Sequence, residues 1–493
     1  MKRLFTLIAL ACIYNVAAAQ GTYKKLDSLF SNQLDAGWLN GNVLIADHGR
    51  VIYKNSFGYA DIPNKIPNTD KSAFFLASVA KTITSTAVLQ LVQKRRVNLD
   101  SPYKKYIPEF PYPDITIRNL LSHTSGLPRD KEEIFDTVLK VQPAKKFNFR
   151  DIILVLQQYP KPLSFKPGDQ FSYSNINYNL LAVLIEKISG MNFDAYLKKY
   201  IFGPAEMTGS YLCNPRTAQK ADVTKRYSYP KHYYPHLIQA DSIPNDTSYT
   251  IFWGQGNVIS TTTDLLKFDQ ALYHNKLVNE QLLDEAFKPA ILNNKNEVVA
   301  GGGVSYGLGW FILRGKGPDK IVFHTGYIEG LRSVIMRNLS KNQTVIILDN
   351  AQSFTNFITA SNAISILNNT PQEKVKISIA DRYAKILFEK GGDIAVSRLV
   401  QMQADTSHFR YGVREMDTIA NELLADSYTD KAIEAFKINL ILHPGDPEMY
   451  TSFGKALNKA GKREEAILMY QRALSLKPDD KTIKDSLTKL EQR

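Results

Sequence analysis

Apolar and polar positions alternate through residues 42–59, "NVLIADHGRVIYKNSFGY", on both sides of His48-Gly49. A period of two broken by a turn pair predicts a strand–turn–strand hairpin. From Ser78 to Val92 the pattern becomes helical, with Val79, Ile83, Ala87, Val88, Leu91 and Val92 apolar nearly all round. A helix of that kind is buried. Residues 116–188 carry helical segments punctuated by Pro and Gly. Residues 214–250 are rich in Tyr, Pro, His and Lys without a clear period, which predicts a long loop or small insertion. Strand patterns return at 306–314, 331–338 and 343–349, and an amphipathic helix is expected at about 353–367. Strands at both ends with helices between predict an α+β fold: a mostly antiparallel sheet flanked by helices, plus a helical lobe.

The last part of the chain has another period. Ala432, Phe436, Leu440 and Pro444 are matched 34 residues later by Ala466, Tyr470, Leu474 and Pro478. That spacing points to tetratricopeptide-like (TPR-like) repeats: a small residue lets two helices approach, an aromatic packs into the next pair, and Pro ends the helix. A weaker unit is expected at 380–409 and a capping helix at 481–491. The expected organisation is a leader at 1–19, a main domain at 20–369, a linker at 370–379 and an all-α repeat domain at 380–493.

The leader rests on Lys2 and Arg3, an apolar stretch from Leu4 to Val16, and Ala17-Ala18-Ala19 as a cleavage site. Export to the periplasm or outside the cell is the expectation. Cys12 lies in this leader, but Ala9 stands where a lipoprotein signal prefers leucine, so a lipid anchor is not expected. No later apolar run is long enough to span a bilayer. Loss of the leader would leave Cys213 as the one cysteine, which excludes an internal disulfide and a cysteine-held zinc. The formal charge is +13, with no basic run longer than "QKRR" at 93–96. A spread of positive charge without a basic stripe fits an anionic envelope polymer better than nucleic acid, and fits an ordinary solvated surface best. His232 and His236 are four apart, but Pro230 and Pro235 argue against the helix a metal pair would need, so no metal site is expected.

Ser-x-x-Lys occurs five times, starting at Ser78, Ser101, Ser228, Ser452 and Ser486. Only Ser78 opens a buried helix that follows the hairpin. Ser78 and Lys81 then share one helix face. A serine hydroxyl is a poor nucleophile without a nearby base, and a helix N-terminus adds positive potential where negative charge develops. The plain alternative is that Ser78 caps the helix.

Three more stretches join the first: "LLSHTSGLP" at 120–128, "FKPGDQFSYSNINY" at 165–178 and "FHTGYIEG" at 323–330. In this order the set resembles the serine penicillin-recognising enzymes: class C β-lactamases, D-alanyl-D-alanine carboxypeptidases and related esterases. The resemblance covers roughly residues 25–367 and includes "GNVISTTTDLLKF" at 256–268. It implies the β-lactamase/penicillin-binding-protein fold and an acyl-enzyme on Ser78. Lys81 and Tyr173 are its candidate bases, either one acting with the other, and Asn175 holds the lysine and the substrate amide. It also implies a substrate-flanking strand with His324, Thr325, Gly326 and Tyr327. The backbone N–H groups of Ser78 and Tyr327 would form the oxyanion hole. His324 replaces the lysine of typical class C enzymes. Its ordinary pKa near ~6.5 predicts substrate-carboxylate binding that weakens between about pH 6 and 8. Bulky Tyr327 stands where many relatives have a small residue. His123 is expected to tie down the Ser125-Gly126 turn.

The expected activity is serine hydrolysis of D-amino-acid cell-wall peptides or small esters and amides, without a cofactor. The alternatives are a β-lactamase, or a slow scaffold whose repeat tail binds a protein partner. Residues 371–493 are expected to be dispensable for the chemistry.

Overall fold

In the strand Gly41–Asp47 (β1), Val43 and Ile45 enter one apolar cluster while Leu44 and Ala46 enter another. Alternation with apolar residues on both sides means a sheet covered on both faces. The computed structural model describes residues 20–492 except 143–145, 215–216, 218–219, 221, 241–252, 315–316, 352–354 and 413. The expected leader at 1–19 and the end of the loop expected at 214–250 lie outside the described residues.

The sheet continues with Arg50–Ser56 (β2), Val304–Tyr306 (β3), Phe311–Leu313 (β4), Ile321–Ile328 (β5), Leu331–Asn338 (β6) and Gln343–Asp349 (β7). Its seven strands run β3-β4-β5-β6-β7-β1-β2, every pair antiparallel. A helix at 20–35 (α1) and Asn356–Leu367 (α4) supply Leu26, Phe30, Ala360 and Ile364 to the cluster of Val43 and Ile45. The opposite cluster holds Ala80–Gln93 (α2) and Asn175–Ser189 (α3), the second helix ending at left-handed Gly190. The strand expected at 306–314 is instead a hairpin. Gly309 at φ +88 turns the chain between β3 and β4, where a β-carbon would lie 2.5 Å from Ser85 Cβ.

The chain forms two compact units, one of Met1–Ser228 and Gln239–Gln372, the other of Tyr229–Ile238 and Glu373–Arg493. The second contains Ile379–Lys390 (α5), Gly392–Ala404 (α6), Glu415–Ala425 (α7), Thr429–Leu442 (α8), Pro447–Lys459 (α9), Arg463–Leu476 (α10) and Lys481–Glu491 (α11). Ala432 and Ala466 are fully buried, as their small size at helix crossings requires, and Phe436 stacks on Phe453 with ring centres 5.6 Å apart. Among the described residues no helix is long and apolar enough to cross a membrane.

Candidate active site

Ser78 lies in a short 3₁₀ turn, Ala77–Val79, that runs straight into α2. The residue before it, Ala77, has φ +45, the left-handed region that a residue with a β-carbon adopts at a cost of about 1–2 kcal/mol. The strain is held by close packing. Ser333 Oγ donates to Leu76 O at 2.7 Å, and a β-carbon on Gly326 would lie 2.2 Å from that same oxygen. Gly326 therefore lets β5 approach the turn that carries Ser78 more closely than any other residue could.

Lys81 is fully buried in the first turn of α2. Its Nζ lies 3.0 Å from Ser78 Oγ, 2.8 Å from Asn175 Oδ1 and 2.9 Å from the Gln255 carbonyl. Asn175 Nδ2 in turn donates to Asp130 at 2.7 Å, which fixes the amide so that its oxygen faces the lysine. Burial holds Lys81 well below the usual lysine value, Asp130 opposes that shift, and Arg129 adds to it. A neutral amine has two N–H groups and one lone pair. Asn175 and Gln255 accept the two donors, and the Ser78 hydroxyl can donate to the lone pair. The same three oxygens can also accept the three donors of an ammonium, so it is burial that disfavours the charged form.

Tyr173 sits just before α3. Lys81 Nζ lies 5.0 Å from its ring centre, and the ring is near-parallel to Phe311 at 6.3 Å. Burial raises its phenol above the ordinary value, and a hydrogen bond with Ser78 opposes this. Tyr173 is therefore a neutral phenol and Lys81 the group driven towards an available lone pair. His123 is fully buried, with ring centre 4.2 Å from that of Tyr173. Its Nδ1 accepts the Ser174 N–H at 3.1 Å, and its carbonyl accepts the Ser172 N–H at 2.9 Å. It thereby holds both flanks of Tyr173.

His324, Thr325, Gly326 and Tyr327 all fall on β5. His324 is completely buried: Nε2 meets Tyr306 Oη at 3.2 Å and Nδ1 lies 2.8 Å from the Thr325 carbonyl. Burial first, and Lys81 second, push its pKa down to about 3. The expected loss of a positive charge between pH 6 and 8 is therefore corrected: the imidazole is neutral throughout that range. Thr325 is half-buried, and Tyr327 is half-exposed with the Arg332 guanidinium 3.7 Å from its ring centre. His232 meets Glu422 at 2.9 Å, and no metal-binding group of three or more His, Cys, Asp or Glu occurs among the described residues.

Sequence reasoning missed Asp130, Gln255 and the strained Ala77. Gln255 had a visible cue in its flanking Gly254 and Gly256. Gly254 stands at φ +95, where a β-carbon would lie 2.0 Å from Tyr178 O. That bend brings the Gln255 carbonyl to Lys81. Nothing in the sequence marks the backbone of Ala77.

The fold together with the Ser78–Lys81–Tyr173–Asn175 cluster defines a serine hydrolase. Residues 26–365 match the Beta-lactamase family model, and the chain belongs to that family. It is 32% identical over 342 residues to penicillin-binding protein 4* of Bacillus subtilis (strain 168), covering 69% of this chain and 74% of that protein. Among solved structures it resembles the penicillin-binding protein of Bacillus halodurans, with TM-score 0.55 and 24% identity over 69% of this chain and 97% of that one. It also resembles the D-amino acid amidase of Ochrobactrum anthropi SV3, with TM-score 0.54 and 23% identity over 72% of this chain and 98% of that one. The two structural likenesses concern the fold alone.

Proposed function

We propose that the protein is an exported hydrolase that works through an acyl-enzyme on Ser78, with D-amino-acid peptides of the cell wall, or small esters and amides, as substrates. The observation that carries this reading is the contact of Lys81 Nζ with Ser78 Oγ at 3.0 Å, made by a lysine whose burial disfavours its charge. Lys81 takes the hydroxyl proton as the Ser78 Oγ–carbon bond forms. The carbonyl oxygen becomes an oxyanion facing the backbone N–H groups of Ser78 and Tyr327, where losing one donor costs roughly 100-fold or more. The lysine proton then passes through the Tyr173 hydroxyl to the leaving group as its bond to carbon breaks. Water repeats the sequence in reverse and frees Ser78.

Support for the substrate class comes from a relative named as a penicillin-binding protein and a structural neighbour named as a D-amino acid amidase. His324 offers no cation to a substrate carboxylate, which favours peptide amides and esters over rapid β-lactam hydrolysis. Support for export is the basic, apolar and alanine-ended stretch at 1–19. The helical unit is read as TPR-like on its 34-residue period.

Intact-mass measurement after exposure to penicillins, D-Ala-D-Ala peptides and p-nitrophenyl esters tests the reading. An acyl adduct should map within residues 74–81. An adduct elsewhere, or full turnover by Ser78→Ala, would overturn it.

A further inference from the structure

Tyr233 belongs by sequence to the stretch before the family match ends, yet its ring is only 2% exposed inside the core of the second unit. It packs on Phe388 with ring centres 4.9 Å apart and edge-on to Tyr428 at 5.8 Å. Its hydroxyl donates to Asp426 at 2.7 Å, and Lys231 reaches the same carboxylate at 3.1 Å. His232 meets Glu422 twice, through its backbone N–H at 3.2 Å and Nδ1 at 2.9 Å. Lys385 Nζ lies 3.4 Å from the Tyr229 ring centre, and Tyr234 adds a second ring beside Phe388 at 5.7 Å. Pro230 and Pro235 restrict the segment before it is bound, which reduces the entropy lost on ordering it. Buried aromatic anchors ringed by paired charges are how a specific peptide is held.

The two ends of this segment return to the first unit, where Ala240 N–H donates to the Arg226 carbonyl at 2.9 Å. That stem braces the turn between β5 and β6. Arg226 Nη1 donates to the Glu329 carbonyl at 3.0 Å, and Tyr227 N–H reaches the Gly330 carbonyl at 3.3 Å. A β-carbon on Gly330 would lie 2.8 Å from Arg226 Cβ. Just upstream, Ala73 N–H donates to the Asp222 carbonyl at 2.8 Å, and Thr224 N–H to the Ala73 carbonyl at 2.9 Å. Residues 222–228 therefore touch both Ala73, shortly before Ser78, and the turn following β5.

We propose that the helical tail is a clamp for this chain's own segment Tyr229–Ile238, and that the clamped stem sets the edge of the substrate cleft. The tail's partner is then an aromatic, proline-flanked basic peptide supplied in cis. The inference deepens the proposed hydrolase reading and rests on it only for what the cleft does.

The test uses the full chain and Tyr233→Ala, with Asp426→Asn as the milder companion. Trypsin cleavage at Lys231 reports release of the segment, and amide hydrogen exchange across residues 324–331 reports the cleft edge. Both variants should be cut faster at Lys231, by about tenfold for Tyr233→Ala, with exchange at 326–330 faster by about the same factor. Retained helical circular dichroism separates this from unfolding. Unchanged cleavage in both variants overturns the clamp. Faster cleavage with unchanged exchange overturns its link to the cleft. Failure of the hydrolase reading is seen separately, as a wild-type protein that takes no acyl group on Ser78.

Discussion

At the scale of single residues, protons decide the chemistry. Lys81 in the folded chain holds its proton less well than in the unfolded chain, because burial disfavours the ammonium. Between its lowered folded pKa and the unfolded value near ~10.4, the unfolded state binds the extra proton. Stability must then rise with pH across that window, by up to about 1.4 kcal/mol per pH unit for this group. Lys81→Met removes the dependence. Urea unfolding of wild type and variant at pH 8 and 10 should show the wild type gaining on the variant, and parallel curves would mean that Lys81 keeps its proton when folded. Turnover by Lys81→Met should fall by about 100- to 10,000-fold, the usual contribution of a positioned base. His324 gives a second, acid-side signature. Its folded pKa of about 3 lies below the unfolded value near ~6.5, so its contribution to stability is whole above pH 6.5 and is lost as pH falls towards 3. Between pH 6 and 8 it does not titrate. KM profiles for a peptide ending in a carboxylate and for a neutral ester should therefore run parallel there, and a carboxylate-specific rise would show that His324 does gain a proton.

At the scale of elements, the site is a meeting of one turn, two helices and one strand. The strand must come close, and Gly326 is the residue that permits it. Gly326→Ala would put a β-carbon 2.2 Å from Leu76 O and 2.3 Å from Ser333 Oγ. One contact is backbone just before the Ser78 turn, so β5 must move and displace the Tyr327 N–H of the proposed oxyanion hole. The acylation rate of Ser78 should drop roughly 100-fold, the usual cost of losing one oxyanion donor, with circular dichroism unchanged. A rate within threefold of wild type would show that β5 is not the oxyanion wall. The close approach at Gly326 was legible because near contact of backbones demands glycine, and the clustering of Ser78, Lys81, Tyr173 and Asn175 was legible because they fall in short local motifs. Asp130 was not. It acts through Asn175, and that pairing joins positions 45 residues apart with no local pattern to mark it. Among strands, β1, β6 and β7 follow plain apolar patterns. The break between β3 and β4 escaped because Tyr306, Leu308, Trp310 and Ile312 are all buried, so apolar alternation runs on through the turn. The buried His324 escaped because an isolated histidine says nothing of its burial until Tyr306 is placed against it.

At the scale of the whole molecule, stability and sequence position part company. Tyr233 is separated from the tail by more than a hundred residues, but its ring fills the core of the second unit with Tyr383, Leu387 and Leu423. Removing a buried aromatic ring typically costs about 3–5 kcal/mol, and the loss belongs to the unit whose core is emptied. The sequence supplies a clean reporter of which unit that is. The three tryptophans, Trp38, Trp253 and Trp310, all lie outside residues 373–493 and outside 229–238. Tryptophan fluorescence therefore follows the first unit, while far-ultraviolet circular dichroism also follows the helical tail. For a unit of this size about 1 kcal/mol moves the melting temperature by roughly 2–8 °C. Tyr233→Ala should thus bring forward the circular dichroism transition by roughly 10 °C or more, while the tryptophan transition moves far less. The opposite pattern, a displaced tryptophan transition with the helical one in place, would mean that Tyr233 stabilises the hydrolase unit.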